Sequence, residues 1–257
     1  MRLGIALSGG GARGMVHIGV LQALEEHGIF PDIISGTSAG SIIGALYVHG
    51  YKPSEIQEIT AKQSLLRMFA LKLPNTGFVR HTLLRKLLEK HLPENSFNHV
   101  KIPFHVAVTN LNTGLVEVYD KGPLIDLVVA SSSVPIMFEP LQIGEFQYVD
   151  GGLLMNLPAS PIRDRCDVLI GVNLVPLTPV ENSNLKTVLG IGSRCFDLSV
   201  LNNIKPELTH CDHVIEPTAI SAFSRFNFKH RDKMYDIGYQ AGIKSVESIL
   251  ALMELRG

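Results

Sequence analysis

The chain has 257 residues, 46% hydrophobic and 18% charged, enough to bury one large core, and it is read as a single domain over residues 1–257. A formal net charge of −1 excludes a nucleic-acid partner held by bulk positive charge, and no acidic solvating tail is present. Three cysteines (Cys166, Cys195, Cys211) are odd in number and lack C-x-x-C or Cys/His spacing. They predict free thiols in a reducing compartment rather than a disulfide framework or a metal site.

Strands and helices are predicted to alternate along the chain. Leu3–Leu7 reads as a strand and Arg13–His27 as a helix ending near Gly28. The apolar start, Met1 to Leu24, is interrupted by Gly9-Gly10-Gly11 and Arg13 well short of a membrane span, so a cytoplasmic chain is expected. Ile33–Ser35 is a second strand and Ala39–His49 a second helix. Ser54 and Gln57 form a capping box that starts a third helix. Over Arg80–His91, Leu83, Leu84, Leu87 and Leu88 share one helical face, and Arg85, Lys86, Glu89 and Lys90 oppose them. Phe104–Asn110 and Leu115–Tyr119 form a hairpin through Asn112-Thr113-Gly114. Gly122-Pro123 opens a helix to about Ala130. Phe146–Val149, Val168–Leu174 and His213–Ile215 are strands, and Tyr235 to Leu252 is the closing helix. The expected architecture is α/β, with helical layers on a mainly parallel sheet and one antiparallel hairpin.

The most informative segment is Gly36-Thr37-Ser38-Ala39-Gly40, at the junction of the second strand and second helix. A Gly-x-Ser-x-Gly there is a nucleophile elbow: the turn is sharp enough to strain the serine and project its hydroxyl, and Gly36 and Gly40 leave room for it. The helix N-terminus behind it is expected to aim N–H groups at charge developing beside Ser38.

Upstream, Gly9-Gly10-Gly11-Ala12-Arg13-Gly14 follows a strand and opens a helix. It also fits G-x-G-x-x-G, but a dinucleotide fold needs an acid at the end of the second strand. Here that strand ends in the serine elbow, and Asp32 lies at its start. The better reading is a nest of amides from Gly9, Gly10 and Gly11 that holds an oxyanion. Adjacent parallel strands would bring loop and elbow to the same sheet edge.

For the base, Asp150 ends a strand and precedes Gly151 and Gly152, a pattern that also suits a plain Asx turn. His17 and His49 read as structural. His210, His213 and His230 follow in Ser–Asp–His order, which keeps an ordinary triad open.

Together, Gly9–Gly14, Gly36–Gly40 and Asp150-Gly151-Gly152 resemble the patatin-like phospholipase family, its short bacterial members most closely. Ala130-Ser131-Ser132-Ser133-Val134-Pro135 is similar to that family's A-S-x-x-x-P segment. Asn156, Pro158, Val172-Asn173-Leu174 and the stretch from Phe223 to Gly238 extend the likeness over nearly the whole chain. The resemblance implies a three-layer α/β/α sandwich and hydrolysis of lipid acyl esters, on phospholipids or lysophospholipids. It implies Ser38 as nucleophile, Asp150 as base without histidine, an oxyanion hole from Gly9, Gly10 and Gly11, and support from Arg13, Gly14, Gly36, Gly40, Gly151 and Gly152. No cofactor and no metal enter that scheme. Arg13 matches the family arginine, either holding the loop or meeting a phosphate. Asn110 departs from the aspartate relatives often carry. Little extends beyond the catalytic core, so neither a regulatory nor a membrane-spanning module is expected. The alternatives are a Ser–His–Asp esterase or acyltransferase and a non-catalytic lipid-binding module.

Residues 63–74 mix bulky apolar groups with Arg67 and Lys72, suiting either a helix packed on the core or a lid in transient contact with a membrane surface. The basic stripe Arg80, Arg85, Lys86 and Lys90 reads as a solvated face.

Overall fold

The computed structural model describes residues 1–62, 81–176, 185–225 and 227–256. The predicted segment 63–74 and Arg80 of the basic stripe lie outside them.

Five short, mostly apolar strands form the parallel part of the sheet, and all but the edge strand are covered on both faces. They are β1 (Leu3–Leu7), β2 (Ile33–Gly36), β3 (Phe104–Asn110), β7 (Val168–Val172) and β8 (His213–Ile215). All pair in parallel, β3-β2-β1-β7-β8. β4 (Leu115–Tyr119), β5 (Leu141–Ile143) and β6 (Phe146–Asp150) add three antiparallel pairings, β3–β4, β3–β6 and β5–β6. The sheet is therefore mixed, with more antiparallel pairing than the single expected hairpin.

Period-two alternation divides the core between two helical layers. Leu3, Ile5 and Leu7 face a large cluster shared with α1 (Met15–Glu26), α2 (Ala39–Val48), α4 (Thr82–His91), α5 (Leu124–Ser131) and α8 (Arg231–Arg256). Ala6, Ile33 and Leu169 face a smaller one with Ile162 of α6 (Ser160–Arg163) and Val200 and Ile204 of α7 (Val188–Leu208). The expected three-layer sandwich is the result. On the larger face α1 and α8 cross in close contact: a Cβ at Gly19 would lie 2.2 Å from the Tyr235 carbonyl oxygen, and one at Gly238 2.2 Å from that of Val16.

Several expectations change in detail. The first helix begins at Met15, after a tight 3-10 turn over Gly11–Gly14. α3 (Pro53–Lys62) is capped not by Ser54 and Gln57 but by Glu55, whose carboxylate accepts from the Lys52 amide at 2.8 Å, with Pro53 at the position that needs no amide partner. Leu84, Leu87 and Leu88 are buried, whereas Leu83 is 40% exposed. β7 ends at Val172 rather than Leu174, and α8 is longer at both ends than expected. β5 and the whole of α7 were not foreseen: in the first half of α7 the outward positions Val188, Ile191, Cys195 and Leu198 are apolar like the inward Phe196, which blurs helical periodicity. Asn110 holds the hairpin turn, its side-chain oxygen accepting from the Asn112 and Thr113 amides while its amide donates to Glu117 at 2.8 Å. An aspartate there would face Glu117 carboxylate to carboxylate. Among the described residues, no helix is long and apolar enough to cross a membrane.

Candidate active site

Strand register brings the two halves of the site together. Along residues 106–110, β4 occupies one side of β3, with Val106 opposite Tyr119 and Val108 opposite Glu117. The other side is shared. β2 runs up it until Gly36 stands opposite Val106, and β6 comes down it until Asp150 stands opposite Val108. Two residues of β3, about 7 Å, separate the strand ends. Beyond each end comes a sharp turn, the serine elbow on one and Gly151-Gly152 on the other, so Ser38 and Asp150 meet head on.

The elbow is strained. Ser38 has φ 52° and ψ −121°, a region that non-glycine residues occupy at a cost of about 1–3 kcal/mol. Its glycines are needed for close approach: a Cβ at Gly36 would meet the Gly40 carbonyl at 2.7 Å, and one at Gly40 would meet the Leu7 carbonyl oxygen at 2.2 Å. Bracing comes from the start of the A-S-x-x-x-P block. The Ser38 amide donates to Ser131 Oγ at 2.9 Å, and Ser131 Oγ donates to the Ala107 carbonyl at 2.7 Å. The Thr37 hydroxyl ties the other flank to the Met155 carbonyl.

Ser38 is 7% exposed, and its hydroxyl stands beside the Asp150 carboxylate and favours its charged form. Asp150 is 2% exposed and also accepts from the Gly152 amide at 2.7 Å. Burial pushes its pKa up to about 7. Ser38, the Gly152 amide and the positive charge of Arg225 hold it from rising further. A carboxylate in that state is half ionised near neutrality and far more basic than an exposed one.

The glycine loop packs on this pair. A Cβ at Gly9 would stand 3.1 Å from Ser38 Cβ, and one at Gly14 3.0 Å from Ala39 Cβ. Asn156 fastens the loop, its carbonyl accepting from the Gly9 amide at 3.0 Å and its side chain donating back to the Gly9 carbonyl. The Gly9 amide is thereby engaged. Around the elbow, the Gly40 and Ser41 amides are engaged within the turn, so the helix end offers fewer free donors than the sequence suggested. The amides of Gly10, Gly11 and Ala39 have no acceptor among the described residues, and all three residues line one cleft with Ser38 and Asp150. Gly11 has φ +59°, with the Arg225 carbonyl oxygen 2.3 Å from where a Cβ would be, so no other residue fits.

Arg13 is a strut rather than a ligand for phosphate. It is 8% exposed, and its guanidinium donates to the carbonyls of Phe223 (2.9 Å) and Leu174 (3.1 Å). Burial and the nearby Arg225 lower its pKa to about 10. The Ala12 amide donates to the Arg225 carbonyl at 2.7 Å, so the chain at 223–225 clamps the loop from outside.

The cleft encloses about 800 Å3, part of it open to solvent, and its walls are mainly apolar, including Met15, Ile42, Val134, Phe196 and Val200. Sequence reasoning missed the α7 wall and Arg225, which pairs with Asp197 of α7. The only advance signal for Arg225 was its place in the Phe223–Gly238 stretch.

Among the described residues, no histidine lines the cleft. His213 stands on β8, three strands and about 14 Å from β2, and His210 precedes it. His230 is exposed and packs edge-on against Phe223. His17 is fully buried, its Nε2 2.8 Å from the Ser8 carbonyl, and burial lowers its pKa to about 4, leaving it a neutral support of the glycine loop. His49 bonds to the Ala45 carbonyl within its own helix.

Comparison with known proteins agrees with this geometry. Residues 5–162 match the family model described as patatin-like phospholipase. The chain is 32% identical over 179 residues to lysophospholipase NTE1 of Saccharomyces cerevisiae, covering 67% of this chain and 11% of that protein. It is 28% identical over 275 residues to an uncharacterised NTE family protein of Mycobacterium tuberculosis, covering 96% of this chain and 46% of the relative. The chain thus spans less than half the length of these relatives. Among solved structures, VipD from Legionella pneumophila superposes with a TM-score of 0.64 at 15% identity, over 96% of this chain and 67% of that one, a likeness of fold. With its three glycine-bearing motifs gathered at one sheet edge, the chain belongs to the patatin-like phospholipase family.

Proposed function

We propose that this chain is a serine hydrolase of lipid acyl esters, acting on phospholipids or lysophospholipids through a Ser38–Asp150 dyad. The observation that carries the reading is the placement of the Ser38 hydroxyl beside a buried carboxylate whose pKa is pushed up to about 7, both lining one apolar cleft. The relative named a lysophospholipase supports the substrate class.

In this reading Asp150 accepts the Ser38 proton as Oγ attacks the ester carbonyl. The tetrahedral oxyanion then receives hydrogen bonds from the amides of Gly10 and Gly11, each such donor being worth about 3–4 kcal/mol of barrier. As the intermediate collapses, Asp150 returns the proton to the departing alcohol and an acyl-serine remains. Water, deprotonated by Asp150, repeats the attack and releases the fatty acid and free Ser38. The elbow strain and the Ser131 brace keep the hydroxyl in the attacking position, so little reorganisation is needed. Apolar walls suit an acyl chain, and the chain works where such lipids are presented, inside the cell or at a membrane face.

The test is labelling by a fluorophosphonate probe, read by mass spectrometry. The adduct is expected on Ser38 and absent in Ser38→Ala, which should also lose lysophospholipid hydrolysis. Full hydrolysis by purified Ser38→Ala would refute the reading. A histidine variant as inactive as Ser38→Ala would favour a triad, and a folded wild type that binds lipid without labelling would favour a lipid-binding module.

A further inference from the structure

α7 presents two faces to different surroundings. Phe196 and Val200 turn inward and line the cleft. On the opposite side Val188, Ile191, Cys195 and Leu198 follow one another at helical spacing and are all exposed, Val188 by 90% and Ile191 and Leu198 by 49% each. A solvated helix face in a globular domain is normally polar. Here four successive outward positions are apolar, and only beyond them does the stripe turn polar, at Asn202 and Lys205.

The stripe continues to the cleft. Ile136, 42% exposed, seats its side chain at Gly192, where a Cβ on the glycine would lie 2.5 Å from Ile136 Cδ1. Ile136 is two residues from Val134 of the cleft wall. Its φ of 74° is rare for a β-branched residue, and such strain persists only where the surroundings or a function hold it. An apolar surface therefore runs from the cleft wall across Ile136 and onto the outward stripe of α7.

Two lysines flank the stripe. Lys186 and Lys205 are exposed before and beyond it. The two acids of α7 are withdrawn, Asp197 paired with Arg225 and Glu207 buried against the Ala159 and Ser160 amides. A helix with an apolar face and flanking cations is built to lie in a headgroup layer, the cations attracted by anionic lipid.

We propose that the outward stripe of α7, with Ile136, seats on an anionic lipid surface and presents the cleft to it, so that an acyl chain passes from membrane to cleft without crossing water. The proposal deepens the lipid-hydrolase reading and rests on it for its function, but the docking itself does not need turnover.

The test uses the whole chain with vesicles of phosphatidylcholine, with and without phosphatidylglycerol, scored by co-sedimentation. Wild type is expected to pellet with the anionic vesicles and to be released by salt. Ile191→Glu combined with Leu198→Glu, at half-exposed positions outside the cleft, should partition about tenfold less or lower still and lose vesicle hydrolysis in proportion, while cleaving p-nitrophenyl butyrate as wild type does. Ile191→Trp should partition more strongly, since indole favours the interface. Ser38→Ala should partition like wild type. Unaltered partition of the double glutamate variant would overturn the proposal. So would light scattering that finds a wild-type dimer split by the same variant, since a second copy would then be the occupant. A wild type that binds vesicles but cleaves no ester supports the docking surface and removes the hydrolase reading. Cleavage of soluble esters without any vesicle binding does the opposite.

Discussion

Replacing Asp150 by asparagine should stabilise the protein while disabling it. Asparagine has the same outline, its oxygen can accept from the Gly152 amide, and its amide can donate to Ser38. What disappears is a buried titratable group whose pKa rises on folding from 3.8 to about 7. Below about pH 3 the carboxyl is protonated in both states and carries no penalty. As pH rises towards 7 the unfolded chain has released a proton that the folded chain still holds, so stability falls with pH until the folded group also ionises. Above about pH 8 the whole cost is present, up to about 4 kcal/mol at 1.36 kcal/mol per pH unit. At about 2–4 °C of Tm per kcal/mol for a domain of this size, Asp150→Asn should melt up to about 8–16 °C higher than wild type at pH 8.5. The two should converge below about pH 3. Scanning fluorimetry across that range reads the gap, and kcat/KM of wild type should climb with a midpoint near pH 7 while the variant falls by about 10²-fold or more. A variant no more stable than wild type at pH 8.5, or a gap that does not change with pH, would refute the account of Asp150 as a carboxylate paying a burial cost for its basicity.

Other variants address neighbouring parts of the site. Ser38→Gly should melt higher than Ser38→Ala, by about 1 kcal/mol in stability, because glycine relieves the positive φ that alanine keeps; equal melting would show that the elbow stores no strain. Ser131→Ala leaves the Ser38 amide without its acceptor, so a loss of about 1–3 kcal/mol in urea unfolding and a fall in kcat are expected. Gly10→Ala, whose new methyl would meet only the Leu174 side chain at 2.9 Å, should fold and lose kcat more than KM, whereas Gly11→Ala, against the Arg225 carbonyl, should lose stability as well. Arg225→Gln removes a cation that holds the Asp150 pKa down, so the rising limb of the pH–rate profile should move to higher pH; a limb that stays put would exclude that role.

Much of the site is legible in the sequence because its parts are local. Gly36–Gly40 and Gly9–Gly14 each mark a strand-to-helix turn, and glycines at those positions answer close contacts that the fold makes. The partnership of Ser38 with Asp150 is less legible, since 112 positions separate them and only the register along β3 joins them. Occupancy of individual amides is not legible either. Gly9 and Gly10 look alike as letters, yet Asn156 takes the amide of one, and the other has no acceptor among the described residues. α7 escaped because helix recognition depends on a contrast between faces, and Val188, Ile191 and Leu198 remove that contrast. Arg13 reads as a charge on a glycine loop, whereas burial turns it into a tie between main-chain carbonyls.

The head-on meeting of β2 and β6 along β3 makes that one strand the ruler of the active site. Lengthening the connections between α2 and β3, or the turn from β3 to β4, leaves the interval from Val106 to Val108 untouched and so keeps the spacing of Ser38 and Asp150. One residue added within that interval would part Ser38 from Asp150 by about 3.3 Å and turn the carboxylate to the far face of the sheet. Insertions should therefore be tolerated in the connections before and after β3 and not at a stretch three residues long, far in sequence from either residue it spaces.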